Sequence, residues 1–338
     1  MSETPTSSFR YHLPGGAVAQ SAVEPRHAAR LLDADTMRDH VFGDLPGLLA
    51  PGDLIVVNHT RVRRARLRGR KETGGEVEAL LLRPLGEGRW EALVRPARRL
   101  RVGSRLHLGG IDAEVVSGPE EGRVVLAVEA EDQEQAVDAA GALPLPPYFK
   151  GCLEDEGRYQ TVFADRVGSA AAPTAGLHFT PEVLERLERR GVHRTAVDLE
   201  IGIDTFRPIS APHLSGHAMH TERFRVGPDA VAAVSAARDR GGRVVAVGTT
   251  VVRALESASR GCGEVEPAAG ETDLFITPGY RFRVVDRLIT NFHAPGSTLV
   301  VLLAAFMGDR WRPVYDTALG RGYRFLSFGD AMIVSKAE

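Results

Sequence analysis

The chain has 338 residues, 43% of them hydrophobic and 25% charged, with a formal net charge of −2. This is the composition of an ordinary globular protein with enough apolar material for two domains. The near-neutral balance excludes a global pull toward nucleic acid, so any such binding has to come from a local patch.

No apolar run approaches the length that crosses a membrane, and the opening Met-Ser-Glu-Thr-Pro-Thr-Ser-Ser lacks the basic-then-apolar order of a signal peptide. A cytoplasmic protein is therefore expected, with no membrane contact and no obligate protein partner. Cys152 and Cys262 are far apart and form no Cys-x-x-Cys pattern, so both are expected to be reduced thiols rather than parts of a disulfide or zinc site.

In chain order, Tyr11 to Leu13 predicts a short strand, Ala17 to Arg30 an irregular stretch holding Gln20, Arg26 and Arg30, and Leu31 to Asp33 another brief strand. Asp44 to Leu49 predicts one helical turn, and Asp53 to Val57 is a continuous apolar run suited to a buried strand. It ends on Asn58-His59-Thr60, small polar groups where open α/β sheets place ligands.

From Arg61 short runs rich in Val and Leu (75–83, 89–95, 104–108 and 124–128) are separated by Gly-rich turns, predicting a small β-barrel or sandwich that ends near Leu143. The predicted architecture is an α/β catalytic domain, residues 1–60 and 144–338, interrupted by an inserted small β-barrel domain at 61–143. The first barrel strand carries Arg64, Arg66, Arg68 and Arg70 at period two, hence on one face, and Arg98, Arg99, Arg101 and Arg105 add a second basic cluster. Such a face suits a phosphate backbone or simple solvation equally well. An acidic segment, Glu129 to Glu134, has to point elsewhere if RNA binds there.

Pro144-Leu145-Pro146-Pro147-Tyr148 is a stiff return linker. Beyond it, strand, small polar loop and helix recur three times. The loop Gly168 to Thr180 precedes a helix with Thr180 as N-cap, Pro181 at the first helical position and an apolar-periodic run from Glu182 to Arg190. A strand at Arg243 to Val247 stops at Gly248-Thr249-Thr250 and turns into the helix Val251 to Ser259. Leu288 to Thr290 leads through Asn291 to Thr298 into the helix Leu299 to Met307. If the strands are parallel, the free N–H groups of these helices converge at one sheet edge.

His213, His217, His220 and Glu222 have a spacing able to hold a metal, but Pro212, Gly216 and Gly227 favour a loop and no His-Glu-x-x-His signature exists, so no metal is expected. Histidines acting as acid, base or hydrogen-bond donors fit better. Gly248-Thr249-Thr250 is neither a dinucleotide fingerprint nor a P-loop. Arg253 and Glu256 are three apart on one helix; they either pair with each other or leave Arg253 to meet a ligand carboxylate.

Taken together, Tyr11-x-Leu-Pro14, Pro51-Gly-Asp-Leu-Ile-Val-Val-Asn58, Leu145-Pro-Pro-Tyr148, Arg158-Tyr-Gln-Thr-Val162, Ala171-Ala-Pro-Thr-Ala-Gly-Leu-His-Phe179, His217-x-Met-His220 with Glu222, Ala246-Val-Gly-Thr-Thr250 with Arg253-Ala-Leu-Glu-Ser257, Thr290-Asn-Phe-His293 and Tyr323-Arg-Phe325 resemble the S-adenosylmethionine:tRNA ribosyltransferase-isomerase family of queuosine synthesis. The resemblance spans nearly the whole chain in order. It implies S-adenosylmethionine as a ribosyl donor and no metal. The implied acceptor is the aminomethyl group of the 7-deazaguanine preQ1 in a tRNA anticodon, and the implied products are epoxyqueuosine, adenine and methionine. A base has to remove a proton beside the sulfonium, and His178, His220 and His293, with Glu222, are the implied acid/base candidates, with pKa values expected near working pH. Asn58, Arg61, Thr174, Thr249, Thr250, Arg253 and Asn291 are the implied binding groups for the nucleoside and amino acid. The chain departs from the family pattern at His59, Glu200 and Asp204, and its stretch from Arg30 to Phe42 is short, missing what looks like a hairpin. Those departures leave open a free deazapurine-type small acceptor in place of tRNA, or an inactive RNA-binding relative.

Overall fold

The computed structural model describes residues 4–337 apart from 121, 152, 154, 203–207 and 262. Cys152, Cys262 and Asp204, which the sequence reading singles out, lie outside the described residues.

The chain forms two compact units, one of Met1–Thr60, Pro146–Arg166 and Ala172–Glu338, the other of Arg61–Leu145 and Val167–Ala171. The first is an α/β domain and the second contains a closed six-stranded barrel.

In the α/β unit a nine-stranded mixed sheet holds the strand Leu54–Asn58 in its interior, with every residue buried. Parallel strands covered on both faces read as continuous apolar runs, which is why Leu-Ile-Val-Val stands there without alternation. His193–Leu199 pairs with it in parallel on one side and Val244–Val247 on the other, and Arg287–Asn291 extends the parallel set. Ala331–Ser335 then inserts antiparallel to Arg287–Asn291. Beneath the sheet, Phe42, Leu45, Phe179, Val183 and Leu187 pack on Ile55, Val57, Val245 and Ile289 in one cluster.

Several expectations change. Tyr11 to Leu13 is not a strand; this loop is anchored where the Tyr11 hydroxyl donates to the His293 carbonyl. The short stretch from Arg30 to Phe42 forms a hairpin, Arg30–Asp33 pairing antiparallel with Arg38–Val41, with Arg30 paired to Asp39 and Leu31 and Leu32 fully buried. The helix Pro181–Arg189 begins at Pro181 with Thr180 in the N-cap position, as expected, but the Thr180 hydroxyl makes no capping bond and meets His27 Nδ1 at 2.9 Å instead. The strand Arg166–Ser169 before the first polar loop lies outside the nine-stranded sheet, and the loop itself winds into a 3-10 turn, Thr174–His178.

In the barrel unit two elements escape the sequence reading: the strand Ile111–Glu120 and the helix Gln133–Ala140, capped by Asp132. The arginine face also changes. The strand starts at Arg66, so Arg64 is off it and donates to the Gly141 carbonyl at 3.0 Å. Arg66 and Arg68 share Glu78, at 2.8 and 3.5 Å, leaving Arg70 as the one exposed member without a carboxylate among the described residues. Buried Arg63 pairs with Glu134, which accounts for one of the nearby acidic groups.

Candidate functional site

The carboxyl ends of Val244–Val247 and Arg287–Asn291 lie side by side because the two strands are parallel. Gly248 follows the first. Its φ of +91° permits the abrupt turn, and a Cβ there would sit 3.5 Å from Thr250 Oγ1 and 3.7 Å from Ala175. The helix Thr249–Ser257 starts at once with no side-chain cap, leaving the N–H groups of its first turn available to a ligand. After the second strand, Ser297 caps the apolar helix Thr298–Met307 by accepting from Val300 N.

These ends enclose a pocket with about 640 Å³ of empty space, part of it open to solvent. Thr249 and Thr250 form one wall; Thr290, Asn291, His293 and Ser297 form another; and Thr174 with its small neighbours Ala172 and Ala175 closes a third side. Tyr148 and Ser327, joined by a hydrogen bond between their hydroxyls, complete the rim. Burial pushes the Tyr148 phenol up to about 12, so it stays a neutral donor. The hydroxyl of Thr250 is buried and has no hydrogen-bond partner among the described residues. An unpartnered buried hydroxyl is uncommon and costs free energy, so its presence in a pocket wall is what a ligand contact would explain.

Asn291 organises the back wall. Its Oδ1 accepts from Thr174 Oγ1 at 2.9 Å, and its Nδ2 faces His178 Nε2 at 3.3 Å. His178 itself does not line this pocket. It is buried behind Asn291 against Phe42, with ring centroids 5.1 Å apart. His293 does line the pocket, and its Nε2 meets Thr290 Oγ1 at 3.0 Å.

Both imidazoles depart from the expected titration range. Desolvation by burial lowers each to about 3; for His178 the charges of Arg324, Arg26 and Arg158 add to the effect. They are therefore neutral at working pH, hydrogen-bonding groups rather than poised acids.

The remaining candidates are elsewhere. His220 Nε2 lies 3.6 Å from Glu222 Oε1, and Glu222 forms a buried ion pair with Arg253. Burial alone would raise the Glu222 carboxyl, but Arg253, His220 and the Gly202 N–H hold it below the usual carboxylate range. Arg253 also donates to the carbonyls of Leu274 and Thr272, at 3.1 and 3.3 Å, so it neither pairs with Glu256 nor reaches for a ligand carboxylate. Glu256 instead accepts from the backbone N–H groups of Arg283, Val284 and Val285. Asn58 is a backbone clamp: Nδ2 donates to Leu199 O at 2.9 Å while Oδ1 accepts from Thr60 N at 3.1 Å. Arg61 belongs to the barrel unit, where it is exposed.

The histidine spacing considered for a metal is divided, since His217 packs edge-on against Phe275 while His220 turns to Glu222. Among the described residues no group of three or more His, Cys, Asp or Glu side chains could hold a metal ion. His59, one of the departures, lies 2.6 Å from Asp198, and Glu200 follows the same strand, one residue before the pocket-lining Ile201.

Tyr148, Ser297 and Ser327 were not singled out as site residues. Tyr148 stands in a quoted motif, Ser327 two residues after another, and Ser297 in the third polar loop, so their signal was there as sequence blocks without a role.

The family model described as Queuosine biosynthesis protein matches residues 6–334. A protein from Anaeromyxobacter sp. named S-adenosylmethionine:tRNA ribosyltransferase-isomerase is 50% identical over 343 residues, covering 98% of this chain and 99% of its own. One of the same name from Acidiphilium cryptum is 49% identical, covering 98% and 99% respectively. The crystal structure of an S-adenosylmethionine tRNA ribosyltransferase from Thermotoga maritima superposes with a TM-score of 0.56 at 37% identity, covering 97% of this chain and all of that one.

Proposed function

The chain belongs to the queuosine biosynthesis protein family, and from that premise we propose that it is an S-adenosylmethionine-dependent ribosyltransferase-isomerase acting on tRNA. In this reading the ribosyl group of S-adenosylmethionine passes to the aminomethyl group of preQ1 in the anticodon and is isomerised, giving epoxyqueuosine, adenine and methionine.

The observation that carries the reading is the unpartnered Thr250 hydroxyl beside an uncapped helix start, in a pocket that opens to solvent at the carboxyl ends of parallel strands. S-adenosylmethionine fits this donor set. Thr249, Thr250 and the first-turn N–H groups suit its carboxylate or hydroxyls, while Thr174 and Asn291 offer a fixed amide edge. His293 is the imidazole that meets the substrate; kept neutral by burial and with its Nε2 engaged by Thr290, it serves as a fixed hydrogen-bonding group toward the nucleoside. His178 positions Asn291 from behind. Glu222, His220 and Arg253 act through the packing of the sheet edge rather than on the reacting atoms.

Incubation with labelled S-adenosylmethionine and an anticodon stem-loop carrying preQ1 tests this: adenine and methionine should be released in step with RNA modification. A persistent lack of adenine release with that RNA would overturn the tRNA reading. Glu200, adjacent to pocket-lining Ile201, favours a second reading in which a small free deazapurine is the acceptor, and release with free preQ1 but not with the stem-loop would select it.

A further inference from the structure

Behind Asn291 lies a second, small cleft, open to solvent on one side, that the pocket chemistry above does not use. His178 lines it, as do three arginines from distant parts of the chain, Arg26, Arg158 and Arg324, and Ser327 borders both this cavity and the larger pocket.

The arginines are held in place by contacts that leave donors over. Arg26 donates to the carbonyls of Gln160 and Gly157, at 2.7 and 2.8 Å, and forms no ion pair among the described residues. Arg158 donates to Val23 O at 2.9 Å and pairs with Glu24, whose side chain is 67% exposed. Arg324 donates to Ser21 O and to Asp330, at 3.2 and 3.3 Å. A guanidinium has five N–H donors, so each retains groups without an acceptor among the described residues. Glu24 and Asp155 act on Arg26 from the rim, Glu24 pairs with Arg158 and Asp330 with Arg324, so the cavity gathers three guanidinium groups whose carboxylate partners sit at its margins. Arg26 has its pKa lowered by burial and then by Arg158, and His178 is lowered by burial and then by the same arginines, as expected of positive groups gathered in a partly buried site.

We propose that this cavity is an oxyanion subsite that receives a backbone phosphate of the RNA acceptor, next to the pocket in which its base reacts. The proposal rests on the tRNA reading above. Two anions take part in that reaction, an RNA phosphodiester and the carboxylate of the methionine moiety. The cavity favours the phosphodiester because several forked guanidinium groups converge on it, a geometry matched to phosphate oxygens, whereas the uncapped helix start in the larger pocket already suits the carboxylate.

The test compares wild type, Arg26→Met, Arg26→Lys and Arg158→Lys. Affinity for a labelled preQ1 stem-loop is measured across a salt series and affinity for S-adenosylmethionine by calorimetry. Arg26→Met should weaken RNA binding about tenfold and flatten the slope of log K against log salt by roughly 0.7, the value for one single-strand phosphate contact. The two lysine variants, which keep the charge, should retain the slope with intermediate affinity, and S-adenosylmethionine binding should change less than about twofold. Loss of S-adenosylmethionine affinity with RNA binding intact would reassign the cavity to the carboxylate and overturn the proposal, as would no change in either. Thermal midpoints identify any variant that fails to fold, in which case Arg158→Lys supplies the comparison. Should wild type bind no stem-loop RNA, the tRNA reading fails separately, and inorganic phosphate decides the cavity: a saturable shift of the His178 imidazole resonance, lost in the Arg26 variants, keeps an anion subsite, and no shift removes it.

Discussion

Thr250→Val separates a ligand-binding hydroxyl from a structural one. Valine matches threonine in shape and β-branching, so neither a cavity nor a new rotamer preference is introduced. Thr250 is 8% exposed and its Oγ1 has no partner among the described residues, so the folded protein already bears the desolvation cost of that hydroxyl without a compensating bond. Removing an unsatisfied hydroxyl recovers part of a penalty of about 1–3 kcal/mol, and stability should stay level or rise by up to about 1 kcal/mol. S-adenosylmethionine, in contrast, should lose one hydrogen bond of about 0.5–1.5 kcal/mol, or roughly 2- to 12-fold in affinity. Urea denaturation and calorimetric titration measure the two effects. Thr174→Val is the matched contrast, because its hydroxyl donates to Asn291 at 2.9 Å and its loss should lower both stability and affinity. A Thr250→Val protein destabilised by more than about 1 kcal/mol, or binding S-adenosylmethionine as well as wild type, would refute the reasoning.

Three further outcomes are expected. Glu222→Gln leaves the Arg253 guanidinium buried without its counter-charge and should cost about 3–5 kcal/mol of unfolding free energy, read by urea denaturation; a loss below about 1 kcal/mol would contradict the pairing. Because the folded-state pKa of Glu222 is lowered, its contribution is present above the unfolded value near 4.3 and disappears as pH falls through the folded one. His178 and His293, lowered to about 3, behave in a related way through the unfolded chain: between about 6.5 and 3 the unfolded state binds more protons, so each imidazole costs up to about 1.4 kcal/mol of stability per pH unit on acidification. Their ring resonances should not titrate between about pH 5 and 8, and a midpoint near 6.5 for either would show that the ring is not buried as described. Asn58→Ala strips hydrogen bonds from the backbone of Leu199 and Thr60 and should lower stability by about 1–3 kcal/mol, with S-adenosylmethionine affinity of the folded fraction unchanged; a selective loss of affinity would restore Asn58 to the binding groups.

Much of this was legible in the chain itself. The unbroken apolar run before Asn58, the Pro and Thr at the start of Pro181–Arg189 and the Gly-bounded β runs after Arg61 are local patterns, and local patterns set element type. The polar loops at Thr174, Thr249 and Asn291 were visible as ligand-facing for the same reason, and all three reach one pocket. Partner choice was not visible. Arg253 has Glu256 one turn away, yet bonds Glu222, 31 residues distant, because adjacent strands bring that carboxylate into reach while Glu256 closes a backbone turn. Nor does sequence spacing reveal that His178 stands behind Asn291 rather than in the pocket, or that three arginines meet beside it.

The sequence by itself determined most of the strands and helices, though not Ile111–Glu120 or Gln133–Ala140, and which family of chemistry they serve, since periodicity and short motifs survive without coordinates. Tertiary structure alone decided which polar groups are engaged and which remain open to a ligand, and how far burial moves their pKa values. Those properties depend on neighbours tens to hundreds of residues away and on the water that packing excludes.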